Sequence, residues 1–366
     1  MRGGEKVLEV LCEIFPEADL YTIIHVPGSV SGIIENRKIV TSFIQRLPGA
    51  RSRYRSFLPL FPMAVEGFDL SGYDLVVSSS HCAAKGVLPP SKALHVSYMH
   101  TPMRYVWDMY NDYFGPERTG FFKRKAIGVF SHYLRMWDIT SSARVDHYIA
   151  NSAHVARRIE KFYRRGAAVI HPPVDCSRFS AGKGDGGYYL VVSAFAPYKR
   201  IDIAVEAFNR LGKRLVIIGS GQDEKLLRSK ASSNIEFLGW KSDKDLASYY
   251  AGCKALLFTG EEDFGIVPLE AMASGRPVIA FARGGALETV VAPGSGEEGP
   301  TGLFFNEQTA GSLIEAVKAF EASEALFVPE RIRRHALKFD RPLFKERLKE
   351  HIFGLYNGPR VKEYDA

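Results

Sequence analysis

The apolar positions of the C-terminal half fall into short continuous runs: Tyr188–Ser193 (YYLVVS), Leu215–Ile218, Ile235–Leu238, Ala255–Phe258 and Val278–Phe281. Between these runs the period changes. Ile201–Leu211 carries Ile201, Val205 and Phe208 at helical spacing, and Asp223–Ala231, Asp243–Gly252 and Pro268–Ser274 read as further helices. An uninterrupted apolar run suits a strand buried on both faces. Alternation of such strands with helices predicts a doubly wound parallel sheet, which binds ligands outside the carboxyl ends of its strands.

The N-terminal half repeats the theme more faintly. Leu75–Ser78, Leu94–Tyr98 and Tyr148–Ala150 read as strands, and Asn151 and Ser152 introduce a helix over Val155–Tyr163. Lys6–Phe15 reads as a helix with Val7, Leu8, Leu11 and Ile14 on one face. The stretch His171–Gly187 is rich in proline and glycine and reads as a linker, which puts a domain boundary near residue 175. The expected architecture is α/β: two doubly wound parallel-sheet domains, 1–174 and 175–340, facing a cleft. A terminal amphipathic helix, Arg341–Tyr356, follows within 341–366 and is expected to cross back to the first domain.

Composition narrows the class. The chain has 366 residues, 46% of them hydrophobic, enough for two cores. No apolar run approaches the ~18–20 residues of a membrane-spanning helix, and no signal-peptide pattern opens the chain, so a cytoplasmic location is expected. Cys12, Cys82, Cys176 and Cys253 are far apart and form no C-x-x-C pair. That argues against a thiolate metal site or a disulfide framework. The net charge of +7 suits an anionic partner without choosing one.

Two constellations carry candidate chemistry. In Glu262–Ala271 (EDFGIVPLEA) two glutamates are separated by seven residues, with Gly265 and then Pro268 at a helix start. Glu262 is expected in a loop after a strand and Glu270 in the first turns of the next helix. A helix N-terminus carries partial positive charge and suits a phosphate, while a carboxylate there can accept two hydroxyl hydrogen bonds from a diol. In Pro197–Tyr198–Lys199–Arg200, two adjacent cations at a strand's carboxyl end are placed for a diphosphate. Read from spacing alone, the glutamates could equally be solvated or cap the helix dipole, and the cations could be a solvated turn.

Beyond these residues, Tyr189–Arg200 (YLVVSAFAPYKR), Phe237–Trp240 (FLGW), Leu256–Glu270, Gly275–Ile279 (GRPVI) and Gly284–Thr289 (GGALET) resemble the C-terminal half of a family 4 retaining glycosyltransferase of GT-B type. Ser97–Trp107 (SYMHTPMRYVW), Ile149–Ser152 and Val169–Asp175 resemble the N-terminal half of the branch containing bacterial surface-polysaccharide mannosyltransferases. The resemblance implies two Rossmann-like domains. It assigns Glu270 to the ribose of a nucleotide-sugar donor and Glu262 to the transferred sugar. The N–H groups of Phe264, Gly265 and Ile266, with Lys199 and Arg200, would hold the diphosphate. His100 would lie beneath the donor sugar, and Gly3 and Gly4 would let the backbone approach donor and acceptor. Lys199, Glu262 and His100 are the expected catalytic residues.

Two departures stand out. Many relatives carry an arginine where this chain has Ala194, so Arg200 is expected to replace that cation. Relatives also place a strand and a loop before the segment Met1–Glu5, so the chain is expected to begin at an internal methionine and to lack a central strand. The resemblance further implies same-face substitution with no cofactor. The resemblance also implies no metal, and the expected donor is GDP-mannose. Arg46–Phe61 and Arg118–Trp137 mix cations with aromatics and suit an anionic membrane surface and a polyprenyl-linked glycan acceptor; ordinary helices with a core face would give the same pattern. The rival readings are a nucleotide-sugar epimerase, a glycan phosphorylase, a catalytically impaired relative, and a nucleic-acid binder. The last is disfavoured because the cations form no stripe.

Overall fold

The computed structural model describes residues 3–114, 120–295 and 299–358. Met1, Arg2 and the beginning of the Arg118–Trp137 stretch lie outside the described residues. The chain divides into two compact units: Met1–Pro172 with Phe344–Ala366, and Pro173–Leu343.

The first unit opens with helix α1 (Gly3–Ile14), followed by strands β1 (Leu20–Thr22), β2 (Ile39–Thr41), β3 (Leu75–Ser80) and β4 (Leu94–Met99). Helix α2 (Phe121–Ser142), β5 (His147–Ala150), α3 (Ala153–Tyr163) and β6 (Ala168–Val169) complete it. Ser152 caps α3 by accepting the Val155 N–H. The strands form two separate parallel sheets, β1-β2 and β3-β4-β5-β6, so β3 is an edge strand. Val7, Val10, Leu11 and Ile14 of α1 pack with Val96, Tyr98 and Ile149 of the larger sheet. Phe344, Leu348 and Ile352 of the terminal helix Arg341–Asn357 fill the same core, and Lys345 pairs with Glu13 at 3.0 Å.

A buried polar knot joins α2 to its neighbours. Asp138 and Lys85 are both fully buried, 3.1 Å apart. The Asp138 carboxylate also accepts from Trp107 Nε1 and from the Tyr163 hydroxyl, at 2.8 and 2.9 Å. Lys85 Nζ donates to the Asp138 carbonyl and to Ser141 Oγ. Burial of an ion pair is tolerated when its polar atoms find further partners; Asp138 Oδ2 and Lys85 Nζ do so, while Oδ1 meets the ammonium in the ion pair alone.

The second unit contains β7 (Tyr189–Val192), α4 (Ile201–Leu211), β8 (Leu215–Ile218) and β9 (Ile235–Gly239). It continues with α5 (Asp243–Gly252), β10 (Leu256–Phe258), α6 (Ile266–Ala273), β11 (Val278–Phe281) and β12 (Gly302–Phe305). Its single parallel sheet has the order β12-β11-β10-β7-β8-β9. The chain winds outward from β7 to β9, then returns to the other side of β7 and winds outward again. The carboxyl ends of β7 and β10 therefore form the switch point, where diverging loops leave a crevice. Burial explains the sequence pattern: every residue of β8, β10 and β11 is buried. All four cysteines are free and buried.

Candidate functional site

The loops leaving β7 and β10 meet at the switch point. After β7, Pro197–Lys199 makes one 3₁₀ turn, and Arg200 sits in the left-handed region at φ 52° as α4 begins. After β10, the Thr259 hydroxyl donates to the Lys199 carbonyl at 2.8 Å. Gly260 lets the loops touch, since a Cβ there would lie 2.9 Å from Lys199 Cα and from the Tyr198 carbonyl. With the backbones clamped in this way, Lys199 Nζ meets Glu262 Oε1 at 2.5 Å. Both side chains are largely but not fully buried, which leaves one face of the pair accessible.

The loop then turns into α6. Gly265 has φ +87° and its α-carbon lies against the Phe258 ring, 2.8 Å from where a Cβ would be, so only glycine fits. Phe264 sends its ring into the core against Phe339, so the part of this residue near the crevice is its backbone. Ile266 starts α6, Pro268 occupies its first turn, and Glu270 follows within the helix. The buried Tyr250 of α5 donates its hydroxyl to Glu270 Oε2 at 2.9 Å, which fixes the carboxylate's orientation. Sequence reasoning did not single out Tyr250; a tyrosine in an amphipathic helix carries no local signal of its partner.

Gly284 and Gly285 were also unassigned. The Gly285 N–H donates to the Glu262 carbonyl at 2.8 Å. A Cβ on Gly285 would lie 2.2 Å from Phe264 Cα, and one on Gly284 2.3 Å from the Glu262 carbonyl. The pair therefore buttresses the Glu262–Gly265 loop from behind. Arg200, in contrast, forks onto Asp202, with Nε–Oδ1 and Nη2–Oδ2 both at 3.1 Å. Its guanidinium is engaged within its own helix start, while Lys199 faces Glu262.

In the first unit, the structure brings Gly4 and His100 together: a Cβ on Gly4 would lie 3.5 Å from His100 Nε2. Gly3 is the first residue of α1. His100 follows β4, its Nε2 hydrogen bonds with Ser79 Oγ at 2.9 Å, and its carbonyl accepts from Asn151 Nδ2 at 3.0 Å. Burial, reinforced by repulsion from His81, pushes its imidazole down to about 3. It is therefore neutral at pH 7 and suited to hydrogen bonding. Burial likewise pushes His95 down to about 4. Its Nδ1 donates to the Arg144 carbonyl and its Nε2 accepts from Ser78, so the neutral ring is fully paired.

These two histidines make stability depend on pH. The unfolded chain takes up their protons near pH ~6.5, whereas the folded chain resists until pH falls to about 4 and about 3. The unfolded state thus binds more protons below pH ~6.5, and each histidine weakens the fold by up to ~1.4 kcal/mol per pH unit in that window. Denaturant titrations of the wild type and of His95→Gln should show the wild type losing stability from pH 6.5 to 4, with a shallower slope in the variant. Equal slopes would contradict this assignment.

Comparison with known proteins fits this geometry. Residues 1–178 match Glycosyltransferase Family 4, and residues 176–338 match Glycosyl transferases group 1. The chain belongs to these glycosyltransferase families. It is 30% identical over 186 residues to an uncharacterized glycosyltransferase of Methanocaldococcus jannaschii, covering 50% of this chain and 51% of that protein. It is 33% identical over 132 residues to the alpha-1,3/1,6-mannosyltransferase ALG2 of Homo sapiens, covering 30% of this chain and 32% of that protein. The aligned parts thus span about half and about a third of these relatives' lengths. Among solved structures, Anabaena HepE in complex with UDP-glucose superposes with a TM-score of 0.69 at 16% identity, covering 97% of this chain and 96% of HepE. At that identity the likeness speaks to fold. The chain has the GT-B fold, with Rossmann-like units built on parallel sheets.

Proposed function

We propose that this glycosyltransferase is a retaining hexosyltransferase that uses a nucleotide-sugar donor bound at the β7–β10 switch point. The observation that carries the proposal is the Lys199–Glu262 pair, held where two diverging loops meet and close in sequence to Glu270. Lys199 and the N-terminal end of α6, at Phe264, Gly265 and Ile266, supply positive potential for a diphosphate. Glu262 accepts from a hydroxyl of the transferred sugar, and Glu270 accepts from the ribose diol while Tyr250 holds its other lone pairs. His100, neutral and backed by Ser79, is the proposed sugar-hydroxyl partner in the first unit, with Gly4 leaving its ring face open. Arg200 would join the diphosphate through the N–H groups that Asp202 leaves unused, or by leaving Asp202.

In the proposed reaction, the bond between sugar C1 and the diphosphate oxygen breaks while an acceptor hydroxyl attacks the same face. The hydroxyl proton passes to the departing diphosphate, giving a glycoside and a nucleoside diphosphate. The protein's task is stabilising the charge that develops on the leaving group, and preorganised groups in a partly buried site perform it best. The proposed donor is GDP-mannose and the proposed acceptor a polyprenyl-linked glycan of surface-polysaccharide assembly. A mannosyl donor agrees with the partial likeness to a mannosyltransferase, while a UDP-sugar is the alternative, suggested by the fold neighbour holding UDP-glucose.

The test is product analysis with each donor, in EDTA and with added Mn²⁺. The expected result is nucleoside diphosphate release coupled to a product of retained anomeric configuration, at equal rates in both conditions. An inverted product, conversion of the donor without acceptor, or activity abolished by EDTA and restored by Mn²⁺ would overturn the corresponding part of the proposal.

A further inference from the structure

The two basic, aromatic stretches of the first unit have different fates in the fold. In the first, Phe57, Leu58, Leu60 and Phe61 turn into or against the core. In the second, helix α2 turns its small and polar residues Ser131, Asp138, Ser141 and Ser142 inward, together with Leu134 and Trp137. Most of its other large apolar residues point outward instead. Phe122 is 87% exposed, Val129 71%, Phe121 59% and Met136 52%, with Phe130, Tyr133 and Ile139 nearly as open. Phe122, Val129, Tyr133 and Met136 recur at intervals of seven, four and three residues, so they share one face of the helix. A water-facing surface rarely leaves so many large apolar side chains bare along one helix, and such a strip marks an interaction site.

Charge identifies the partner. Lys123, Arg124 and Lys125 occupy the first turns of α2, beside Phe121 and Phe122, and Lys125 Nζ lies 5.5 Å from the Phe121 ring centroid. The helix has a single acid, Asp138, and it is buried against Lys85. A second copy of the chain would offer the same strip, which has no carboxylate to receive three cations. An interface of anionic headgroups over acyl chains accepts both features: rings and methyl groups enter the boundary while the cations meet phosphates. No described helix is long and apolar enough to cross a membrane, so α2 would lie in the plane. We propose that the outward face of α2 docks on an anionic lipid surface, inserting Phe122, Val129, Tyr133 and Met136. The inference is independent of the donor reading, because binding needs neither donor nor transfer.

Co-sedimentation of the full chain with vesicles of phosphatidylcholine alone, or of phosphatidylcholine and phosphatidylglycerol, tests it at low salt. The wild type should pellet with the anionic vesicles. Phe122→Asp with Val129→Asp, whose side chains are already in solvent, should keep its circular dichroism and bind at least tenfold more weakly. Lys123→Gln, Arg124→Gln and Lys125→Gln together should lose the preference for the anionic vesicles, at about fivefold per cation. Wild type that stays in the supernatant, or an aspartate variant that pellets equally well, would overturn the proposal. So would a wild-type dimer, seen by ultracentrifugation, that the aspartates dissociate.

Discussion

Lys199→Ala should lower kcat by roughly 10²–10³-fold, the loss typical when one preorganised charge-stabilising group is removed from an active site. Lys199 is the cation at the switch point whose ammonium is held by a carboxylate facing the crevice rather than by its own helix. The substitution also leaves Glu262 without its partner, so repulsion between that carboxylate and a diphosphate adds to the loss. Arg200→Ala should cost much less, because its guanidinium is already committed to Asp202. Steady-state release of nucleoside diphosphate measures both. A Lys199→Ala variant within tenfold of wild type, or an Arg200→Ala variant that is the worse of the two, would mean the diphosphate is held elsewhere.

The second large effect is on stability. Asp138→Ala should weaken the first unit by about 3–5 kcal/mol, the usual consequence of leaving a buried charge uncompensated. Lys85 has no access to water at its ammonium, and Trp107 and Tyr163 would lose their acceptor in the same step. Asp138→Asn separates the contributions: it keeps an acceptor for the indole and the phenol but removes the countercharge. It should therefore fall between wild type and Asp138→Ala. Because two units need not unfold together, the measurement is amide hydrogen exchange in β4, β5 and α3 rather than a single melting temperature. Unchanged exchange in Asp138→Ala would show that the knot adds nothing to the fold.

The second unit was the more legible in sequence because each of its central strands is buried on both faces, so each appears as an apolar run between glycines and polar turns. Ile201–Leu211, Leu215–Ile218, Asp243–Gly252 and Val278–Phe281 coincide with the observed elements. Strand β12 (GLFF) escaped notice because a single glycine-led run of four looks like a loop. In the first unit, β1, β2 and β6 are three, three and two residues long, too short for a period to register. At the site, the Glu262–Glu270 spacing and the cations after β7 were readable because loop chemistry lies close together in sequence. Tyr250 and the Gly284–Gly285 buttress were not, since their roles exist only across elements. In α2 the sequence left a membrane-facing and a core-facing reading open, and the fold separates them: Leu134 and Trp137 face the core, while Phe122, Val129, Tyr133 and Met136 are exposed.

Nucleotide binding by calorimetry tests the central claim most directly, with GDP-mannose, GDP, UDP-glucose and UDP titrated into the wild type, Glu270→Ala and Tyr250→Phe. The account predicts that one base family binds the wild type, that Glu270→Ala abolishes or severely weakens it, and that Tyr250→Phe weakens it by a smaller factor through loss of the 2.9 Å hydrogen bond that orients Glu270. Equal binding by all three proteins would contradict a donor site at the β7–β10 switch point.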